Sequence, residues 1–120
     1  YCHSSIVGME RTDTDMSIET AERAVDLAFC STAPSITIEF QGGEPTANWP
    51  VLRHVVEYAV QRNQTARKTL SFALVTNLSL MTDEMLDFLL EQRVQICTSR
   101  DGPADLHNRI RLYRAGDSHE

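Results

Sequence analysis

Apolar positions along the chain fall into short stretches whose spacing switches between helical and strand-like. Residues 1–16 are polar with no clear period and read as a loop. Ser17 stands where a helix cap belongs, with Glu19 in the first turn, where a carboxylate favours the helix dipole. Ile18, Ala21, Val25 and Ala28 recur at helical intervals as far as Phe29, and Ser31 to Ser35, with Pro34, break the pattern. Ile36-Thr37-Ile38-Glu39-Phe40 has the β-branched and aromatic content of a strand and ends in Gln41-Gly42-Gly43-Glu44-Pro45. Pro50 suits the opening of a second helix, with Leu52, Val55, Val56 and Ala59 as its buried stripe and the polar stretch Gln61 to Lys68 closing it. Leu70 to Val75 is nearly all apolar, as expected of a strand covered on both faces, and runs into Thr76-Asn77. Thr82 predicts a third cap, followed by Asp83 and Glu84 in the first turn and by Met85, Leu86 and Leu89 facing inward. Val94 to Thr98 predicts a third strand, ending in Ser99-Arg100-Asp101-Gly102-Pro103.

The order helix, strand, helix, strand, helix, strand predicts an α/β fold of βαβ units with right-handed crossovers and a parallel sheet. Parallel strands end on one edge, and ligands of such folds sit at that edge. All three strand ends carry polar or glycine residues: Gly42-Gly43-Glu44, Thr76-Asn77 and Ser99 to Gly102. Topology alone therefore predicts a small-molecule site there.

Composition narrows the class. With 11 Lys+Arg against 17 Asp+Glu the formal net charge is −6, and there is no basic block. Attraction to a phosphate backbone is weak, so no nucleic-acid partner is expected. No apolar run approaches the ~18 residues of a membrane helix, so no membrane partner is expected either. The three cysteines Cys2, Cys30 and Cys97 are too sparse for a disulfide framework and suit a reducing, cytoplasmic setting. The chain opens on Tyr1 and closes on a cap-like Asp117-Ser118-His119-Glu120 with no helix body after it, the expectation being a fragment cut at both ends.

Individually, each cluster admits a plain reading. Gly42-Gly43 lets a ligand approach the backbone closely, but a glycine pair also marks an ordinary turn. Glu44, acceptor-only when ionised, suits an ammonium group, or is a surface glutamate. Ser99 and Asp101 suit a sugar hydroxyl or belong to a tight Asp-Gly-Pro turn, and Thr76 and Asn77 are equally at home in a turn. Cys30 and Cys97 read as packing residues. Cys2 is either a small hydrophobe or the last member of an upstream motif. His3, beside Cys2, is either a metal ligand or a solvated loop histidine, His54 is expected to be partly exposed on a helix, and His107 and His119 have no partner pattern for a zinc site or a nucleophile–base pair. Trp49, before Pro50, is expected to anchor the start of the second helix.

Taken together, Tyr1-Cys2, Ile36 to Phe40 with Gln41-Gly42-Gly43-Glu44-Pro45, Thr76-Asn77, and Thr98-Ser99-Arg100-Asp101-Gly102-Pro103 with Leu106-His107-Asn108 resemble a radical S-adenosylmethionine (radical SAM) enzyme. The resemblance is to the peptide- and protein-modifying maturases related to anaerobic sulfatase-maturating enzymes. Thr76-Asn77-Leu78-Ser79-Leu80, Thr82 to Phe88 and Gly116-Asp117-Ser118 are most similar to the His-Xaa-Ser system maturases.

This resemblance implies that residues 1–120 are part of a partial (β/α) barrel lacking its first strand, with a 4Fe–4S cluster and S-adenosylmethionine (AdoMet) at its C-terminal edge. Cys2 matches the third thiolate of the family's Cys-x3-Cys-x2-Cys loop, the ligand type such clusters need. Tyr1 would lie against the adenine, the Gly42-Gly43-Glu44 backbone would meet the methionine amino group, and Thr76 and Asn77 would line the site. Ser99 and Asp101 would serve the ribose and its loop, and Arg111, four residues after His107, the carboxylate or loop order. The implied activity is cleavage of AdoMet to a 5′-deoxyadenosyl radical that modifies a peptide or protein substrate, with flavodoxin or ferredoxin as electron donor. Arg100 departs from the apolar residue usual between Ser and Asp. With one matching cysteine this stretch by itself is expected to be inactive, and two open sheet edges invite aggregation. The rival class is a non-catalytic α/β nucleotide-binding or interaction domain using the same edge.

Overall fold

The structure, a computed structural model, describes residues 13–99 and 102–110. In chain order they form α1 (Ile18–Phe29), β1 (Ser35–Phe40), a 3-10 turn (Pro45–Asn48), α2 (Trp49–Ala66), β2 (Thr69–Val75), α3 (Asp83–Glu91), β3 (Gln95–Cys97) and α4 (Ala104–Ile110). The strands make one parallel sheet in the order β1-β2-β3, with Ile36 opposite Leu70, Phe40 opposite Leu74 and Val75 opposite Cys97. This is the α/β arrangement expected of part of a radical SAM core.

Local chemistry sets the helix starts. The Ser17 side chain accepts from the Thr20 amide at 3.2 Å, and Thr82 accepts from the Met85 amide at 3.2 Å, each satisfying a first-turn donor that has no partner within its helix. Helix α2 runs through Gln61 to Ala66, past the point where its polar residues begin; its apolar stripe ends at Ala59 while straight-chain polar residues carry the helix onward. Two elements carry only a short sequence signal. The 3-10 turn precedes α2, and α4 starts on the Pro103 carbonyl, which accepts from the amides of Leu106 and His107.

Helices cover one face of the sheet. Leu52, Val55, Val56 and Ala59 of α2 pack with Ala21 and Val25 of α1, Phe72 and Leu74 of β2, Leu89 of α3 and Val94. Along the α1–α2 contact, His54 Nε2 lies 2.8 Å from Glu22 Oε1, the Tyr58 hydroxyl donates to Asp26 at 3.1 Å, and Arg62 Nε pairs with Asp26 at 2.8 Å. The four-residue spacing on both helices puts these groups on facing edges.

The structure corrects three expectations. Among the described residues, strand β2 is covered on one face: Phe72 and Leu74 are buried and Leu70 is half-buried, but Ser71 is exposed and shares a 2.8 Å hydrogen bond with Thr37 on the other face. Its run of apolar residues is interrupted in burial by the alternation of a strand. Cys30 and Cys97, expected to pack, are both exposed, Cys97 because it shares the uncovered face. On α3, Leu86 is 37% exposed, and Phe88 packs inward beside Leu89 instead. Trp49 selects that face by meeting Phe88 edge-on, ring centroids 5.5 Å apart, while the Arg53 guanidinium lies 5.1 Å from the same ring.

Candidate functional site

The C-terminal ends of the parallel strands share one edge, and the polar segments singled out in the sequence follow directly from them. After β1, Gly42 and Gly43 adopt φ of +88° and +52°, a region that side chains disfavour, and a Cβ at either position would meet nothing within 4 Å. Their backbone is therefore bare and open to solvent. Glu44, next in line, caps the 3-10 turn: its Oε1 accepts from the Thr46 amide at 3.2 Å and the Thr46 hydroxyl at 2.6 Å.

The same carboxylate crosses to the end of β2. Thr76 Oγ1 donates to Glu44 Oε1 at 2.6 Å, and the Asn77 amide donates to Oε2 at 2.8 Å. Thr76 is buried (4% exposed), as is Thr46 (2%). Thr76 also reaches the third strand, its amide donating to the Cys97 carbonyl at 3.1 Å. Its hydroxyl accepts from the Leu78 amide at 3.0 Å, while Asn77 Oδ1 accepts from the Ser79 amide at 2.8 Å in an Asx turn. Leu78 takes φ of +65°, a costly conformation for a residue with a branched side chain.

Gly42, Gly43, Glu44, Thr76 and Asn77 thus come together. Ser99 follows the end of β3 on the same edge and is exposed. Tyr1, Cys2, Asp101 and Arg111 lie outside the described residues, as do His3, Arg100 and His119. Thr46 is the participant that the sequence reading passed over. The signal was present in Glu44-Pro45-Thr46, an acidic cap followed by proline at the first position of a turn.

The chemistry of this edge is that of a backbone cradle. Two bare glycine peptides present carbonyl acceptors and amide donors, and a fixed carboxylate and a buried threonine stand beside them. Among the described residues, no group of three His, Cys, Asp or Glu side chains could hold a metal ion, so an iron–sulfur cluster does not fit on them alone. A cleft of about 420 Å³ lined by Val60, Asn63, Leu70, Phe72, Gln92 and Arg93 involves none of these edge residues. No helix among the described residues is long and apolar enough to cross a membrane.

Comparison with known proteins gives this edge a context. No protein-family model matches the chain. It is 31% identical over 113 residues to an uncharacterized protein of Methanothermobacter thermautotrophicus, covering 93% of this chain and 41% of that protein. It is 29% identical over 102 residues to the serine-type anaerobic sulfatase-maturating enzyme of Bacteroides thetaiotaomicron, covering 84% of this chain and 24% of that enzyme. It is 26% identical over 91 residues to the radical SAM cyclopropyl synthase TigE of Paramaledivibacter caminithermalis, covering 76% of this chain and 19% of the synthase. The chain therefore spans well under half the length of these relatives. Among solved structures, native anSMEcpe with bound AdoMet superposes with a TM-score of 0.71 at 28% identity, covering 78% of this chain and 26% of that one. The same protein has also been solved with AdoMet and a peptide. At the level of the superfamily, the chain is a relative of the radical SAM enzymes and carries part of their core fold.

Proposed function

We propose that the protein to which this chain belongs binds AdoMet at the C-terminal edge of the sheet and uses it as a radical SAM maturase of a peptide or protein. The observation that carries this reading is the bare Gly42-Gly43 backbone at the end of β1, both residues at positive φ with open space where a side chain would stand. Support comes also from the similarity, at 28% identity, to a protein solved with AdoMet. A methionine ammonium is a pure donor, and the carbonyls beside the glycines are acceptors that no side chain screens. Ser99 and Asp101 suit the ribose hydroxyls, Tyr1 the adenine and Arg111 the carboxylate, assignments that rest on the sequence resemblance. Thr76 and Asn77 complete the wall.

A 4Fe–4S cluster, when bound, supplies the electron that cleaves AdoMet; the chain's own contribution is Cys2 as one thiolate ligand, a role that again rests on resemblance. The peptide or protein substrate is proposed from relatives, one of which has been solved with bound AdoMet and a peptide.

The decisive experiment is anaerobic reconstitution of the intact protein with iron and sulfide, followed by incubation with AdoMet and a reductant. Formation of 5′-deoxyadenosine is expected, and Cys2→Ala should abolish it while leaving the circular dichroism unchanged. A colourless protein that binds AdoMet or a nucleotide without cleaving it would replace this reading with that of a binding domain.

A further inference from the structure

We propose that Glu44 is a positioning residue. Its carboxylate, acting through Thr76, straps the loop after β2 to the loop after β1, so that the glycine backbone and Thr76-Asn77 present one rigid edge to the ligand. The inference rests on the AdoMet reading of that edge and specifies how the edge is held.

The carboxylate is already occupied by the protein. It receives four donors: the Thr46 amide, the Thr46 hydroxyl, the Thr76 hydroxyl and the Asn77 amide. Three of them converge on Oε1 and one reaches Oε2, so of the roughly four lone-pair sites of an ionised carboxylate only a position on Oε2 is left for a ligand ammonium. Two of the donors come from threonines buried to within a few per cent, whose hydroxyls would be costly to leave unpaired. Thr76 directly follows the central strand, where its amide holds the β3 end through the Cys97 carbonyl and its hydroxyl holds Glu44. One residue therefore ties together the ends of all three strands.

The need for a strap follows from the glycines. Gly42 and Gly43 have the widest conformational freedom of any residue type and no side-chain packing around them. Their peptides can present a fixed pattern of donors and acceptors only if the chain is anchored nearby. Glu44, adjacent in sequence and joined to a buried group 32 residues away, is that anchor. Rigidity gained before the ligand arrives strengthens binding by reducing the ordering cost at the moment of contact.

A direct counter-ion and a strap predict different results in the intact protein. Amide hydrogen exchange reads the strap without any ligand: in Glu44→Gln, the Asn77 and Thr46 amides should exchange about tenfold or more faster, as loss of charge-assisted acceptors implies. Calorimetry then reads AdoMet. Glu44→Gln and Thr76→Val should each weaken binding by a similar factor, roughly tenfold, and the double variant should be little worse than either alone, because both break one connection. Thr76→Ser, which keeps the hydroxyl, should retain the affinity and the amide protection. If Thr76→Val binds AdoMet as the unaltered protein does while Glu44→Gln does not, Glu44 is a counter-ion and the proposal is overturned. Equal exchange of the Asn77 amide with and without the Glu44 carboxylate overturns it as well. Failure of the unaltered protein to bind AdoMet, with the Asn77 amide protected, instead overturns the AdoMet reading and leaves the strap in place.

Discussion

Thr37 and Ser71 face each other across β1 and β2, their hydroxyl oxygens 2.8 Å apart on the side of the sheet turned away from the helices. Three residues further along β2, Leu74 is fully buried on the helix side. Among the described residues the sheet is thus two-faced, with apolar packing on one side and a mixed surface carrying Thr37, Ser71, Ala73, Val75, Gln95 and Cys97 on the other.

That asymmetry sets the first prediction. Leu74→Ala removes a side chain from close-packed surroundings and should cost about 2–5 kcal/mol of stability. Thr37→Val together with Ser71→Ala removes both partners of an exposed cross-strand pair, so neither is left wanting, and should change stability by no more than about 1 kcal/mol. Urea unfolding of the three proteins measures both. A large loss in the Thr37/Ser71 double variant would mean that this face is packed as tightly as the helix side.

Gly43 carries the second. Valine at φ +52° strains the backbone, and its side chain enters the space through which a ligand would reach the peptide. Gly43→Val should therefore weaken AdoMet binding about tenfold or more in the intact protein, with Gly43→Ala intermediate because its single methyl intrudes less. Titration calorimetry checks this, and an unchanged affinity in the valine variant would remove Gly43 from the site.

How far the chain could be read from sequence follows from how local each signal is. Ser17 and Thr82 were legible because a cap acts within one helical turn, and Leu52, Val55, Val56 and Ala59 because a stripe repeats within one element. Leu70 to Val75 misled because hydrophobicity reports preference for burial, while which face is covered depends on elements elsewhere in the chain. Leu86 and Phe88 both fit an inward face of a short helix, and the choice between them was made by Trp49, which lies 39 residues before Phe88 (88 − 49). At the candidate site, the shared edge was legible from strand order alone. The Glu44–Thr76 bond was not, since no periodicity links residues 32 positions apart.

Tyr58 gives a prediction in pH. Its phenol is held above its ordinary range chiefly because the fold strips solvent from it, then because it donates to Asp26 and sits beside that charge, with Arg62 pulling the other way. A phenol ionises near pH 10 in an unfolded chain. With the folded value raised, the native state keeps its proton longer, so the stability tied to Tyr58 is complete below about pH 10 and is lost as pH rises through the folded value. Thermal melts between neutral and strongly alkaline pH should show a fall in Tm that is shallower in Tyr58→Phe. Identical alkaline slopes in the two proteins would show that Tyr58 does not govern it.

Arg67 offers a prediction in the opposite direction, toward greater stability. It closes α2 at φ +52°, a left-handed position where most helices place glycine. The turn does not depend on its side chain, which is exposed. Asn63 holds it instead: its carbonyl accepts the Arg67 amide at 2.8 Å, its Oδ1 accepts the Lys68 amide at 2.8 Å, and its Nδ2 donates to the Lys68 carbonyl at 2.9 Å. Lys68 in turn donates from Nζ to the carbonyls of Ser31 and Ala33, fastening the turn to the segment after α1. Glycine at position 67 removes the Cβ strain of about 1–2 kcal/mol and adds unfolded-chain freedom of about 0.4–1 kcal/mol, a net gain of about 0.5–1 kcal/mol. Asn63→Ala should act the other way, costing about 1–2 kcal/mol through the lost pair of hydrogen bonds with Lys68. Chemical denaturation of both variants tests the pair together. A loss of stability in Arg67→Gly, alongside the expected loss in Asn63→Ala, would mean that the arginine side chain contributes to this turn more than its backbone conformation costs.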